Sequence, residues 1–137
     1  MIWSSAEAGT LALEEYAQSV GKILDDAKKA EINDGVVNAA YTIIEGKGAT
    51  CYGIAGALTQ ICRAISNNDY SILTVSSHHD EVEGVKDVCL SLPTVINRHG
   101  IFHVIMPKLS AEEHQKLQTS AEKMKDFSKQ ALALLNK

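Results

Sequence analysis

A change of hydrophobic period divides this chain and limits what it can fold into. From Cys51 the apolar residues Cys51, Ile54, Ala55, Leu58, Ile61, Cys62 and Ile65 recur at helical spacing. After Ser66-Asn67-Asn68-Asp69 the spacing falls to two, with Ile72, Thr74 and Ser76 alternating with Leu73, Val75 and Ser77. A pattern of helical period does not sit stably as a strand, nor the reverse, so the chain must be helical before this point and sheet-forming after it. Just ahead of the first pattern, Lys47-Gly48-Ala49-Thr50 carries the signals of one helix ending and another beginning. Gly48 can take the positive φ that closes a helix, and the Thr50 hydroxyl can accept from the free N–H groups of the helix that follows. A hydroxyl there also suits an anion, because exposed amides and the helix dipole both favour negative charge. Capping alone is sufficient to explain a threonine at this position.

The segment before Gly48 is helical. Tyr16, Ala17, Val20, Ile23, Leu24 and Ala27 keep the period from about Glu14 to Asp26, with Glu14 and Glu15 in the first turn and Lys28 and Lys29 at the end, a charge order that suits the dipole. Val36, Val37, Ala40, Ile43 and Ile44 carry the period on to Gly46, and a break or kink is expected near Asn33-Asp34-Gly35. Trp3 to Thr10 shows no period and reads as extended chain or loop. The small pair Ala39-Ala40 suits close packing of helix on helix.

Beyond the switch, Val88, Leu90 and Leu92 alternate with Asp87, Cys89 and Ser91, and a polar loop from His78 to Lys86 is expected to precede them. Arg98-His99-Gly100 joins Thr94-Val95-Ile96 to Ile101–Ile105 as a bulged hairpin. Ser110 with Glu113 forms a capping box downstream of Pro107, and Leu117, Ala121, Met124, Ser128, Ala131 and Leu135 trace one face of a last helix, with Met124 as core filling. The expected fold is α+β, with long helices on a small antiparallel sheet of three or four strands, in one domain over 1–137.

With 45% hydrophobic and 22% charged residues and a net charge of -4, the chain lacks the basic excess of a nucleic-acid binder. No apolar run approaches the ~20 residues of a membrane span. Met1-Ile2-Trp3-Ser4 resembles no leader, so a cytoplasmic protein is expected. Cys51 and Cys62 return to one helical face but about 16 Å apart along the axis, beyond disulfide reach. With Cys89 they are expected to be small buried hydrophobes.

His78-His79-Asp80-Glu81 has metal-binding chemistry, but neighbouring side chains in a strand point apart and no distant partner has ligand spacing, so no metal is expected. Gly46-x-Gly48 fails as a dinucleotide fingerprint, because Cys51 stands at the third glycine position and no strand precedes it.

Several separated motifs resemble the L-lactate dehydrogenases of the lactate/malate dehydrogenase family. Gly48-Ala49-Thr50-Cys51-Tyr52-Gly53-Ile54 is similar to the helix that carries that family's substrate-pocket threonine and, one turn on, an isoleucine against the nicotinamide. Asn38-Ala39-Ala40-Tyr41 with Ile43-Ile44-Glu45 resembles its pocket-lining helix, and Trp3-Ser4-Ser5-Ala6 the segment after its catalytic histidine motif. Ser71–Ser76 resembles the first strand after the long helix, and Pro93–Ile101 the hairpin. The resemblance implies the C-terminal region of the substrate domain. Thr50, Ala39 and Ala40 would be substrate-binding and Ile54 cofactor-binding, with NAD as the cofactor and a small 2-hydroxy or 2-oxo acid as substrate in the full-length enzyme. That enzyme would be a homo-oligomer, a tetramer in the parent. The family's catalytic histidine, aspartate and arginine, and its nucleotide-binding half, match no segment, so no catalytic residue is expected here and the chain alone should be inactive. A malate dehydrogenase fragment and a stand-alone, non-enzymatic interaction module are the competing readings.

Overall fold

The change of period marks where helix gives way to sheet in the computed structural model, which describes residues 1–135. The chain divides into two units, Met1–Gln60 and the part from Ile61 onward. The architecture is α+β, as the sequence implied.

The first unit opens with a small hairpin that begins in the stretch read as extended chain or loop and ends just past it, β1 (Glu7–Ala8) pairing antiparallel with β2 (Leu11–Ala12) around Gly9 at φ 67°. Helix α1 (Leu13–Ser19) stops well short of Asp26, and α2 (Asp26–Lys47) then runs unbroken through Asn33-Asp34-Gly35. The break therefore lies at Val20–Asp25, not at Gly35. Gly21 turns left-handed at φ 71° and donates its N–H to the Gln18 carbonyl at 3.0 Å. Asp25 then caps α2 by accepting from the Lys28 N–H at 2.8 Å. Both stop and start signals stand in the sequence, and a side-chain cap outweighs a single glycine in a helix interior. Lys29 of α2 pairs with Glu14 of α1 at 2.7 Å and holds that carboxyl below its usual range.

Helix α3 (Cys51–Asn67) begins where its period begins. Its apolar strip does not become the buried face expected: Cys51, Ile54, Ala55, Leu58 and Cys62 are exposed, and only near its end is Ala64 buried with Ile61 and Ile65 half-buried. Periodicity reports which residues share a face, not what covers it. The cysteines are corrected for the same reason. All three are exposed thiols, Cys51 and Cys62 on this uncovered strip and Cys89 in the outward phase of a strand.

The second unit holds an antiparallel sheet in the order β3 (Ser71–Val82), β4 (Val85–Asn97), β5 (Gly100–Val104). The polar stretch His78 to Lys86 is no loop. Strand pairing continues through it, with His79 opposite Val88 and Val82 opposite Val85. Glu83 and Gly84 make a two-residue turn with φ 49° and 79°, the doubly left-handed geometry whose twist matches paired strands. Pro93 lies within the central strand, opposite Thr74. Its carbonyl accepts from Ile105 at 2.7 Å. Because N and C=O of one residue point the same way, its missing donor faces the β5 side, just past that strand's last pair, and β3 loses no bond.

Val88, Leu90, Leu92, Thr94 and Ile96 alternate inward along β4. They meet α4 (Ala111–Leu135), which starts with the expected capping box: Ser110 N–H donates to Glu113 Oε2 at 2.9 Å and Glu113 N–H to Ser110 Oγ at 3.3 Å. The core joins Val82, Val88, Leu90, Leu92 and Ala121, flanked by Leu117. Met124 is not core filling, because Leu117, Ala121, Lys125 and Ser128 form the contact stripe and Met124 stands exposed at its rim; Ala131 and Leu135 are exposed too.

Asp87 fastens helix to sheet. Lys125 Nζ donates to its carboxylate and, at 2.7 Å, to its main-chain oxygen, while His78 Nε2 lies 2.8 Å from Oδ1. Lys125 first, then His78, pulls the Asp87 carboxyl down to about 2. A depressed folded-state value contributes stability above the ordinary carboxylate range and loses it as pH falls from about 4 towards 2. Asp87→Asn should therefore be less stable than the parent at neutral pH, with the difference fading over that acid window. Denaturant midpoints measured from pH 7 to 2 check this, and a gap that stayed constant with pH would refute it.

Candidate functional site

Thr50, half-buried, is the last residue before α3. The chain reaches it through Gly48, which at φ 78° closes α2 and donates its N–H to the Ile44 carbonyl at 2.7 Å. A Cβ at such a φ would be strained, so the turn that places Thr50 depends on glycine. Ile54 follows one helical turn later and is 60% exposed. Side chains on a helix lean towards its N-terminus, which directs Ile54 to the end where Thr50 stands.

No acidic residue occupies the first turn of α3, so the partial positive charge of its free amides is not neutralised there. Lys47 is the last residue of α2. The Lys47 ammonium lies 4.7 Å from the centroid of the Tyr52 ring, across the turn that carries Thr50. A hydroxyl, free amides and an apolar side chain thus gather at one helix start, with the Lys47 ammonium turned onto the Tyr52 ring. This arrangement can hold a small anion against an apolar surface.

Proton transfer needs other groups. The unit Met1–Gln60 contains no histidine and no arginine. Arg63 is an exposed mid-helix residue, and Arg98 lies in the β4–β5 turn, where its N–H donates to Asn68 Oδ1 at 3.2 Å. Ala39 and Ala40 lie exposed on α2, roughly 10–12 Å along its axis from Lys47 at the rise of an α-helix. The structure therefore brings Thr50 and Ile54 to one helix end, and the alanine pair stands two turns back on the preceding helix.

The His78–Glu81 run also resolves. His78 turns to Asp87, and His79 turns the other way, its Nε2 3.1 Å from the Leu90 carbonyl oxygen. Among the described residues no group of three His, Cys, Asp or Glu side chains is placed to hold a metal. A groove of about 480 Å³ runs along α4 past Glu112, Gln115, Lys116 and Thr119, but these form one solvated helix face, with Glu112 and Lys116 paired at 2.6 Å. Its size does not make it a site, because its lining comes from the outer face of a single helix. Lys47 and Tyr52 were not singled out from the sequence. Their signal was present, a lysine in the last turn of one helix and an aromatic residue in the first turn of the next.

Comparison with known proteins gives a consistent result. A family model described as lactate/malate dehydrogenase, alpha/beta C-terminal domain, matches residues 1–135. The L-lactate dehydrogenase of Thermus aquaticus is 45% identical over 125 residues, covering 91% of this chain and 40% of the relative. That of Gloeobacter violaceus is 43% identical over 124 residues, covering 90% and 38%. Among solved structures, a lactate dehydrogenase from a Medee basin deep-sea metagenome library superposes with a TM-score of 0.84 at 33% identity, covering 91% of this chain and 40% of that one. The chain spans about two fifths of the length of the curated relatives it matches. No described helix is long and apolar enough to cross a membrane.

Proposed function

Because the chain belongs to the lactate/malate dehydrogenase family, as its alpha/beta C-terminal domain, we propose that it is the substrate-domain region of a cytoplasmic, NAD-dependent L-lactate dehydrogenase. In this reading residues 1–137 act as one domain that supplies a wall of the substrate pocket and contacts between subunits. The observation that supports it is the anion-favouring start of α3, with Thr50 at its end and exposed Ile54 one turn on. The Thr50 hydroxyl donates to the carboxylate of a small 2-oxo or 2-hydroxy acid. Ala39 and Ala40 leave room where bulk would exclude it. Ile54 fits one face of a flat nicotinamide ring, since an exposed aliphatic side chain offers the apolar contact such a ring needs. NAD, when bound, accepts or supplies the hydride.

The test is a chimera in which this chain replaces the matching part of the Thermus aquaticus relative. It should oxidise NADH in the presence of pyruvate, whereas the 137-residue chain alone should not, because the residues here hold and orient substrate and move no proton. A folded chimera without pyruvate-dependent turnover counts against the proposal.

The subunit-contact role leads to a second expectation. Val36, Val37, Tyr41, Ile43 and Ile44 on α2, with Leu58 on α3, are all exposed, and large apolar side chains exposed in such number favour association over a free monomer. The isolated chain should therefore self-associate in a concentration-dependent way. Light scattering that showed only monomer at high concentration would remove this role.

A further inference from the structure

Lys47 and Tyr52 face each other across the Gly48-Ala49-Thr50 turn, ammonium 4.7 Å from ring centroid. Lys47 is the last residue of α2, and Tyr52 lies in the first turn of α3. Their contact closes a loop of chain whose middle is Thr50. The turn itself depends on one left-handed glycine, a residue that restrains the backbone least of all. Tyr52 is otherwise open to solvent, 81% exposed, so burial in a core does not fix its ring. The charge is the restraint the structure offers it, and a cation over a ring face is attractive even at an exposed site.

We propose that Lys47 and Tyr52 are positioning residues, a cation–π clasp that holds the start of α3 against the end of α2 and thereby sets where the Thr50 hydroxyl points. The inference rests on the reading of Thr50 as a substrate contact. The clasp touches no substrate and acts through Thr50. Its chemistry tolerates replacement of the lysine by arginine and of the tyrosine by phenylalanine, since either pair keeps a cation and a ring face. Loss of the charge or of the ring releases the turn.

Two measurements test it. In the 137-residue chain, the Lys47 εCH2 protons should be shifted upfield by the ring, remain so in Tyr52→Phe, and return to the position of a free lysine in Tyr52→Leu. In the chimera, Lys47→Met and Tyr52→Leu should each lower kcat/KM for pyruvate by about two- to fivefold, the factor a surface cation–π contact is worth. The double variant should lose no more than either single one, and Lys47→Arg and Tyr52→Phe should keep parental values. A lysine without the upfield shift overturns the proposal, as do single losses that multiply in the double variant or an active chimera in which Tyr52→Leu is silent. A chimera with no activity, or with activity indifferent to Thr50→Val, removes the substrate-contact reading and the positioning role with it. The ring shift then tells the two failures apart, because it reports the clasp whether or not the enzyme turns over.

Discussion

Thr50→Val in the chimera should lower kcat/KM for pyruvate about tenfold or more, because a hydrogen bond to a charged group is worth ~1.5–3 kcal/mol. Valine matches threonine in shape, so the pocket keeps its volume and loses only the hydroxyl. If the hydroxyl merely caps α3, the same substitution should cost roughly 1 kcal/mol of stability and leave the folded fraction fully active. Thr50→Ser separates the two further, since it retains the oxygen and should preserve most of both activity and stability. The expected pattern is a large kinetic loss in valine with near-parental serine. The grounds are the geometry: a half-buried threonine at a helix start with no acid in its first turn. Unchanged kinetics with a lowered melting temperature in Thr50→Val would return Thr50 to a purely structural role.

Local signals in this sequence were legible where the chain resolves them with itself. Gly48 closes α2, Ser110 and Glu113 cap α4, and the alternation along β4 places Val88, Leu90 and Leu92 inside, each as the residue pattern required. The departures have separate physical causes. His78 to Lys86 looked like a loop because its residues are polar, yet an edge strand can present polar side chains on its outer face, and Glu83-Gly84 needed only two residues to reverse the chain. The early end of α1 was missed because an apolar period through Val20 and Ile23 outweighed Gly21 and Asp25 in the reading, while in the structure the left-handed glycine and the Asp25 cap decide it. The burial of α3 and of the cysteines was misjudged for a different reason. An apolar stripe is a demand for cover, and the sequence of one chain does not say which molecule meets it. The site divides along the same line: the Thr50 turn is local and readable, whereas the Lys47–Tyr52 contact depends on how the turn folds back.

Cover can be measured residue by residue. Leu92 is 2% exposed within a core of few fully buried side chains. Leu92→Ala should therefore cost about 2–5 kcal/mol, the range for truncating a buried leucine and leaving a cavity. Against a total stability of roughly 5–15 kcal/mol, that loss should shift the denaturant midpoint by a large fraction, with the slope unchanged if unfolding stays two-state. Leu134, which is 70% exposed on α4, should tolerate alanine within about 0.5 kcal/mol. A small effect at Leu92 would mean that the β4–α4 core is not the one that holds the unit together. Leu58 is the informative intermediate. It belongs to the apolar stripe of α3 yet is exposed in this chain, so Leu58→Ala should be nearly silent in dilute isolated chain. In the chimera, where the proposed assembly would cover that stripe, the same change should lower the melting temperature by the cost of a buried leucine. An equal and small effect in both settings would mean that the stripe is solvent-facing in the assembled enzyme as well, and the subunit-contact role of α3 would fall.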